Sequence, residues 1–434
     1  FSLMMADAII GMSQESQKQG PLKAVHLNFE GTRTNYDLLS LHLQDLKNAQ
    51  DDAEVQVKLV EAIKKLNALK VFKKVRATVV PSREENTTLV HFNIKEHSWS
   101  GFDYDVFWDN EKYRLFLGVL LRNIRHKADS TRLGIEMDFY TWAPGFELTH
   151  IDRLFKPKHW QLSWTLFKSS ALLDINVVES SSGTSATLQT FDGVHTVTVG
   201  TKSRHNYIYK QFASKEVLAN ESSDTTKNSI THTLTLDKRD NPEYPSTGYL
   251  ATLTNEIALG SDTRFHKVEG RYSHYFDFIE DTPLQLTGIL GFFMPWPKTL
   301  THINDRFRGN YFKGFRCVGE RAPSAVQQEQ KQLLVEGDDL GKLSMLQLEA
   351  KLHFYKVPVL DYLGFSPFLY GNLIVVSPLH PNSLSHYKQQ TRGSLGFGLG
   401  WNKSFGRIEL SFASKILGQP GDVPSAFSYL LTFK

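Results

Sequence analysis

A single cysteine, Cys317, occurs in 434 residues, so no disulfide can form within the chain and no covalent framework supports the fold. No run of about 18 apolar residues is present, which excludes a membrane-spanning helix. An excess of one charge is lacking too. Lys and Arg number 49 against 46 Asp and Glu, a net charge of +3, too balanced for the concentrated basic face that nucleic-acid binding needs. There is no G-x-S-x-G elbow and no H-E-x-x-H pair, so neither a hydrolase nucleophile nor a metalloprotease zinc site is expected. Residues 1–20 lack the basic start, apolar centre and small-residue cleavage site of a secretory signal. The chain starts at Phe1 rather than Met, which leaves open a removed upstream piece. The polar, Gln- and Ser-rich stretch that follows completes an arm, 1–21, expected to be flexible.

What is present falls into two patterns. Residues 22–98 mix periods. Val25, Leu27 and Phe29 alternate as in a strand, and Tyr36, Leu39, Leu43 and Leu46 follow at helical spacing over 35–48. Asp51 and Asp52 can cap a second helix that carries Val55, Leu59, Ala62, Ile63, Leu66 and Leu69 on one stripe. Two strands, 72–80 and 87–96, complete a small α+β domain. His26, His42 and His91 are scattered and read as surface or strand residues, not ligands.

From 99 to 434 the period is two. Tyr113, Leu115, Leu117, Val119 and Leu121 share one face of a strand. Leu346, Leu348, Ala350 and Leu352 oppose Gln347, Glu349, Lys351 and His353. Ile408 and Leu410 oppose Arg407 and Glu409. Alternation alone fits a soluble sandwich as well as a membrane barrel, because only the surroundings of the apolar face differ. Length and regularity favour the barrel. At roughly 20 residues per strand and turn the stretch holds about sixteen strands, no helix interrupts them, and closure removes the exposed edges. Tyr104, Trp108, Trp142, Tyr272, Tyr275 and Trp296 fit interfacial girdles. The expected fold is therefore mainly β, an antiparallel transmembrane β-barrel of about sixteen strands behind one N-terminal α+β domain.

Three segments sharpen the reading. Residues 237–249 link two strands with a turn stiffened by Pro242 and Pro245 and closed by Gly248, in which Asp237, Arg239 and Asp240 can bind turn backbone and one another. Arg239 and the prolines argue against a calcium loop. The long connection 297–338 carries Phe312-Lys313-Gly314-Phe315, and a loop of this length in a compact domain implies a task. The chain ends on Phe427, Tyr429, Leu431 and Phe433 in alternation.

These features resemble a known family. The strand–helix–helix–strand–strand order over 22–98, with the junction 66–75, is similar to a POTRA domain, although the Gly often found before the aromatic position is missing. The string with Asp237, Arg239, Asp240, Pro245 and Gly248 resembles the D-x-R-D…P-x-x-G turn of the BamA-type outer-membrane assembly barrels. Phe312, Lys313, Gly314 and Phe315 hold the place of that family's [V/I]-R-G-F/Y loop tip, with Lys for Arg. The resemblance implies that the loop folds into the lumen and that its cation meets an acid on a late strand. Residues 368–372 offer no such acid, which leaves Lys313 a carbonyl, an amide or Glu349. The final strand has Ser428 where the family's insertion signal prefers Gly.

One POTRA-like domain without a signal peptide looks like the core barrel of the mitochondrial sorting and assembly machinery. That resemblance implies a non-enzymatic insertase in the mitochondrial outer membrane, with the N-terminal domain in the intermembrane space and no cofactor. Its clients would be unfolded β-barrel precursors. Its partners would be metaxin-type peripheral subunits, cristae-organising inner-membrane proteins and the lipid bilayer. In the family a seam between first and last strands parts, here Gly101, Asp103 and Asp105 against Phe427, Ser428, Tyr429, Leu431 and Phe433. An exposed strand edge templates an incoming strand through backbone hydrogen bonds. The alternative is a pore of the same superfamily that passes polypeptide through its lumen.

Overall fold

The computed structural model describes residues 24–433, apart from 82–86, 110–111, 140, 156–159, 175–176, 191, 209–217, 219–223, 243, 261–262, 280, 298–302, 308–312, 314, 318–320, 323–337, 340–342, 378–390, 404–405 and 419–422. The N-terminal arm, 1–21, lies outside the described residues.

The first elements are β1 (Ala24–Glu30), α1 (Tyr36–His42), α2 (Gln44–Lys47), α3 (Asp52–Ala68), β2 (Phe72–Pro81) and β3 (Thr87–Glu96). They form a sheet of order β1–β3–β2, with β1 parallel to β3 and β2 antiparallel to it. The parallel pair needs a long crossover, which the helices and β2 supply. Asp51 caps α3 by accepting the Glu54 N–H at 2.7 Å, and Val55, Leu59, Ala62, Leu66 and Leu69 turn into the core. The single helix expected over 35–48 is instead two. At Leu43 the backbone departs to φ −104°, ψ 27°, and Leu39, Leu43 and Leu46 are all buried. His42, expected at the surface or in a strand, is buried on α1, because it lies three residues after Leu39 on the core side of the helix.

Sixteen strands close into an antiparallel barrel. They are Ser100–Asp109, Lys112–Arg122, Ser130–Asp138, Pro144–Phe155, Trp160–Asp174, Val177–Gln189, His195–Ile208, Asp224–Asp237, Gly248–Leu259, Arg264–Ile279, Thr282–Pro295, Ser344–His353, Phe365–Ser377, Thr391–Lys403, Gly406–Leu417 and Phe427–Phe433. The end at which the first strand starts is here the proximal end. By alternation the turn 237–248 lies there, and the long connection after Pro295 leaves from the distal end.

Burial on the barrel is inverted relative to a soluble protein. Leu348 is 48% exposed and Phe397 58%, whereas Lys351 and Glu409 are each 6% exposed. Water would not leave a ring of Leu and Phe outside and charges inside; hydrocarbon outside and a polar lumen would. That settles the choice between sandwich and barrel which alternation left open. Tyr104, Trp108, Trp142, Tyr272 and Trp296 are exposed as girdle residues should be, but Tyr275 is buried. It stands an odd number of residues from the outward Tyr272 and so faces the lumen.

The chain divides into two compact units. One runs from the N-terminal sheet to Phe102 and takes in Val119–Leu133 and Thr149–Ser163; the other holds Asp103–Gly118, Gly134–Leu148 and Trp164–Lys434. Within the first unit Glu96 is a hub. Its Oε1 accepts Thr32 Oγ1 at 2.7 Å, the Arg33 N–H at 2.8 Å and Asn123 Nδ2 at 2.9 Å, and its Oε2 accepts Arg33 Nε at 3.1 Å. Asn123, in the turn after the second barrel strand, also donates to Thr34 Oγ1 at 2.9 Å. Burial alone would raise the Glu96 carboxyl, but the bonds from Thr32, Arg33 and Asn123 outweigh it and hold it below the usual value. A depressed folded pKa gives stability that is present above the unfolded value, near 4.3, and lost as pH falls through the folded one. Glu96→Gln is thus expected to cost about 1–3 kcal/mol at neutral pH. Helical circular dichroism during melting at pH 7 and at about pH 3 checks this. A penalty of the same size at both would show that the charge is not what holds the hub.

Candidate functional site: loop locks, turn and strand seam

Lys313 reaches the lumen wall. Its Nζ forms an ion pair with Glu409 on the fifteenth strand. Glu409 also accepts Arg407 Nη2 at 2.8 Å and lies 3.4 Å from Lys351 Nζ on the twelfth strand. The Lys313 ammonium stands 5.0 Å from the ring centroids of both Phe368 and Tyr370, and that of Lys351 3.7 Å from Phe368. A compact ammonium can sit between two ring faces and a carboxylate. The Lys313 carbonyl accepts Ser394 Oγ at 2.5 Å. The expected partner is thereby corrected: the acid paired with Lys313 is Glu409, on the fifteenth strand, rather than Glu349. Phe312 and Gly314 lie outside the described residues. Phe315 is buried with Phe307, Phe265, Phe293, Met345 and Val376, and its backbone strand, Phe315–Cys317, pairs with Val423–Pro424.

A second lock, which the sequence reading missed, sits eight residues before Lys313. A short turn of 3-10 helix, Ile303–Asp305, lies against the sixth to tenth strands. Asp305 receives Arg204 Nη1 on both oxygens, at 3.0 and 2.9 Å, and Lys227 Nζ at 3.0 Å. Lys267 Nζ donates to the Asp305 carbonyl at 3.1 Å and stands 4.5 Å from the Phe307 ring centroid. Asn304 bonds Asn206 and Glu179. A legible signal existed: Arg204, Lys227 and Lys267 take inward positions on three strands, and the one wall acid paired with them among the described residues is Glu256, 2.6 Å from Lys227.

The proximal turn gives each motif residue a task. Arg239 grips Asp237 with two bonds, 2.9 and 2.7 Å, and donates to the Pro242 carbonyl at 3.3 Å. Asp240 accepts the Ser246 N–H at 3.0 Å, the Thr247 N–H at 3.2 Å and Ser246 Oγ at 2.5 Å. Burial alone would raise its carboxyl, but these bonds outweigh that and hold it below the usual range. Gly248 has φ +97°, and a Cβ there would lie 2.1 Å from the Lys238 carbonyl oxygen, so only glycine fits. The turn is more than a hairpin: Tyr244 OH donates to the Asn402 carbonyl at 2.5 Å, and the Pro245 carbonyl accepts Tyr355 OH at 3.2 Å. With its oxygens committed to the turn, Asp240 has little left to offer a cation.

At the seam the last strand pairs Leu430, Leu431, Thr432 and Phe433 with Asp109, Trp108, Phe107 and Val106. Trp108 Nε1 donates to Tyr429 OH at 3.1 Å, the rings meeting edge to face. On its other side the strand pairs Phe427, Ser428 and Tyr429 with Phe412, Ser411 and Leu410. Gly101, Asp103 and Asp105 belong to the first strand but precede Val106, outside the described register. Asp103 or Asp105 therefore does not stand opposite Ser428.

Among the described residues no group of three or more His, Cys, Asp or Glu is placed to hold a metal ion. What the geometry defines is a lipid-facing outer-membrane barrel whose distal loop is ion-paired inside its lumen and whose circle closes at a first-to-last strand seam. The chain belongs to the Omp85 superfamily: the model described as the Omp85 superfamily domain matches residues 127–431. A curated relative, the sorting and assembly machinery component 50 homolog of Bos taurus, is 25% identical over 308 residues, covering 68% of this chain. The match spans 64% of the bovine protein's length. The crystal structure of BamA from Haemophilus ducreyi lacking POTRA domains 1–3 superposes with a TM-score of 0.71 at 15% identity, over 96% of this chain and 85% of that one. CdiB from Acinetobacter baumannii gives 0.53 at 13% identity, over 96% and 74%. At such identities these likenesses show the fold.

Proposed function

We propose that the chain is a non-enzymatic insertase that folds β-barrel precursors into the mitochondrial outer membrane through the seam between its first and last strands. The single observation that carries this is the seam itself. The last strand meets the first over four residue pairs, Leu430–Phe433 with Val106–Asp109, a short seam whose parting would present a strand edge to an incoming strand. Pairing there spares the precursor from carrying bare N–H and C=O groups into hydrocarbon. The locked lumen loop supports the same reading, since it occupies the path a threading pore would need. The likeness to the bovine sorting and assembly machinery component supports the mitochondrial branch. Residues 22–98 would face the intermembrane space and meet precursors, and the partners would be metaxin-type subunits and cristae-organising proteins. The test is reconstitution of the purified chain in liposomes with an unfolded barrel precursor. Protease-resistant, heat-modifiable precursor should accumulate well above empty liposomes. Transfer of a soluble polypeptide into the liposome interior, with no insertion, would instead establish the transport pore.

A further inference from the structure

The loop is held on two different parts of the wall: at its root to the seventh, eighth and tenth strands through Asp305, and at its tip to the fifteenth strand through Lys313. We infer that Asp305 is a positioning residue whose root latch holds the tip lock in place. This rests on the proposed insertase reading and names what controls its lumen loop.

Three observations carry it. The Asp305 carboxylate is buried, and Arg204 Nη1 bridges both of its oxygens in a charge-assisted contact. Arg204 spends only Nη1 on it; Arg204 Nε and Nη2 and the adjacent Thr225 Oγ1 are buried with no partner among the described residues. The guanidinium therefore depends on Asp305, and a half-made buried network is worse than none, so the latch is either whole or open. Lys267 joins the Asp305 carbonyl to the Phe307 ring, and Phe307 packs with Phe315 beyond the tip, so root and tip share one packed cluster.

Loss of the latch leaves the Asn304 bonds and the Phe307 packing in place, so release of the tip should be partial.

Cys317, the only cysteine, lies four residues past Lys313 and reports loop release. The full-length protein is reconstituted in liposomes and labelled with a membrane-impermeant maleimide, folding being verified by heat-modifiable mobility. Lys313→Gln sets the rate for a released tip. Asp305→Asn should label at a rate between those of the unsubstituted chain and Lys313→Gln, and Asp305→Glu should return towards the unsubstituted rate. Should Asp305→Asn fail to fold, Arg204→Gln removes the charge that Asp305 pairs with and should label measurably faster. Unchanged labelling in the folded root variants, with Lys313→Gln fast, would overturn the inference. Equal rates in the unsubstituted chain and Lys313→Gln would also overturn it, because the tip would then not be held. No precursor enters this measurement, so failure of the insertase reading would leave its result unaffected.

Discussion

Glu409→Gln should loosen the barrel more than any other single change at the loop tip. Glu409 neutralises Lys313, Lys351 and Arg407 at once, and removing one partner of a buried pair costs about 3–5 kcal/mol. Lys313→Gln should cost less, because Arg407 and Lys351 still neutralise Glu409. Lys313→Glu should approach the larger loss, since it sets a carboxylate against Glu409 and near Glu349. Lys313→Arg should be tolerated, because a guanidinium can pair with Glu409 and stack on Phe368 or Tyr370. The temperature at which the detergent-solubilised barrel loses its compact gel mobility ranks the four. Equal losses for Glu409→Gln and Lys313→Gln would show that Glu409 is not the hub.

Locking the seam should stop insertion while leaving the barrel intact. Phe107 and Thr432 are directly opposed, and antiparallel partners bring Cα atoms to about 4.5–5.5 Å, inside the reach of a disulfide. With Cys317 first changed to Ser, Phe107→Cys with Thr432→Cys should form the bond on oxidation. Asp103→Cys with Ser428→Cys should not, since the seam register sets Leu430 opposite Asp109 and so carries Ser428 away from Asp103. Insertion should fall by at least about tenfold when oxidised and return on reduction, because a closed disulfide adds roughly 2–4 kcal/mol against opening. Undiminished insertion with a verified bond would remove the lateral seam from the mechanism.

Much of this fold is written in local sequence. Period two is a property of neighbours along one strand, so the two faces of 344–353 or 406–412 can be read without a partner. The β3 strand, 87–96, is legible for the same reason. The loop tip was legible as a motif, but its partner was not. Glu409 lies 96 positions after Lys313, and their meeting depends on which strands share the lumen wall. Tyr275 went wrong through parity, one odd step from Tyr272. The break at Leu43 is a tertiary choice that buries three leucines where helical periodicity alone predicts continuity. Asp305 reads as an ordinary loop acid until the inward charges of the seventh, eighth and tenth strands are seen together. The seam register could not be read, because alternation fixes faces and leaves the sliding of strand on strand to the closure of the barrel.

The most direct test of the account is site-specific photocrosslinking to a barrel precursor stalled during insertion. A crosslinking residue is placed in turn at Leu431, at Trp108 and, on the lumen wall, at Gln347. The account predicts crosslinks from Leu431 and Trp108, with Gln347 silent. Crosslinks from Gln347, with Leu431 and Trp108 silent, would put the precursor inside the lumen and contradict insertion through the seam.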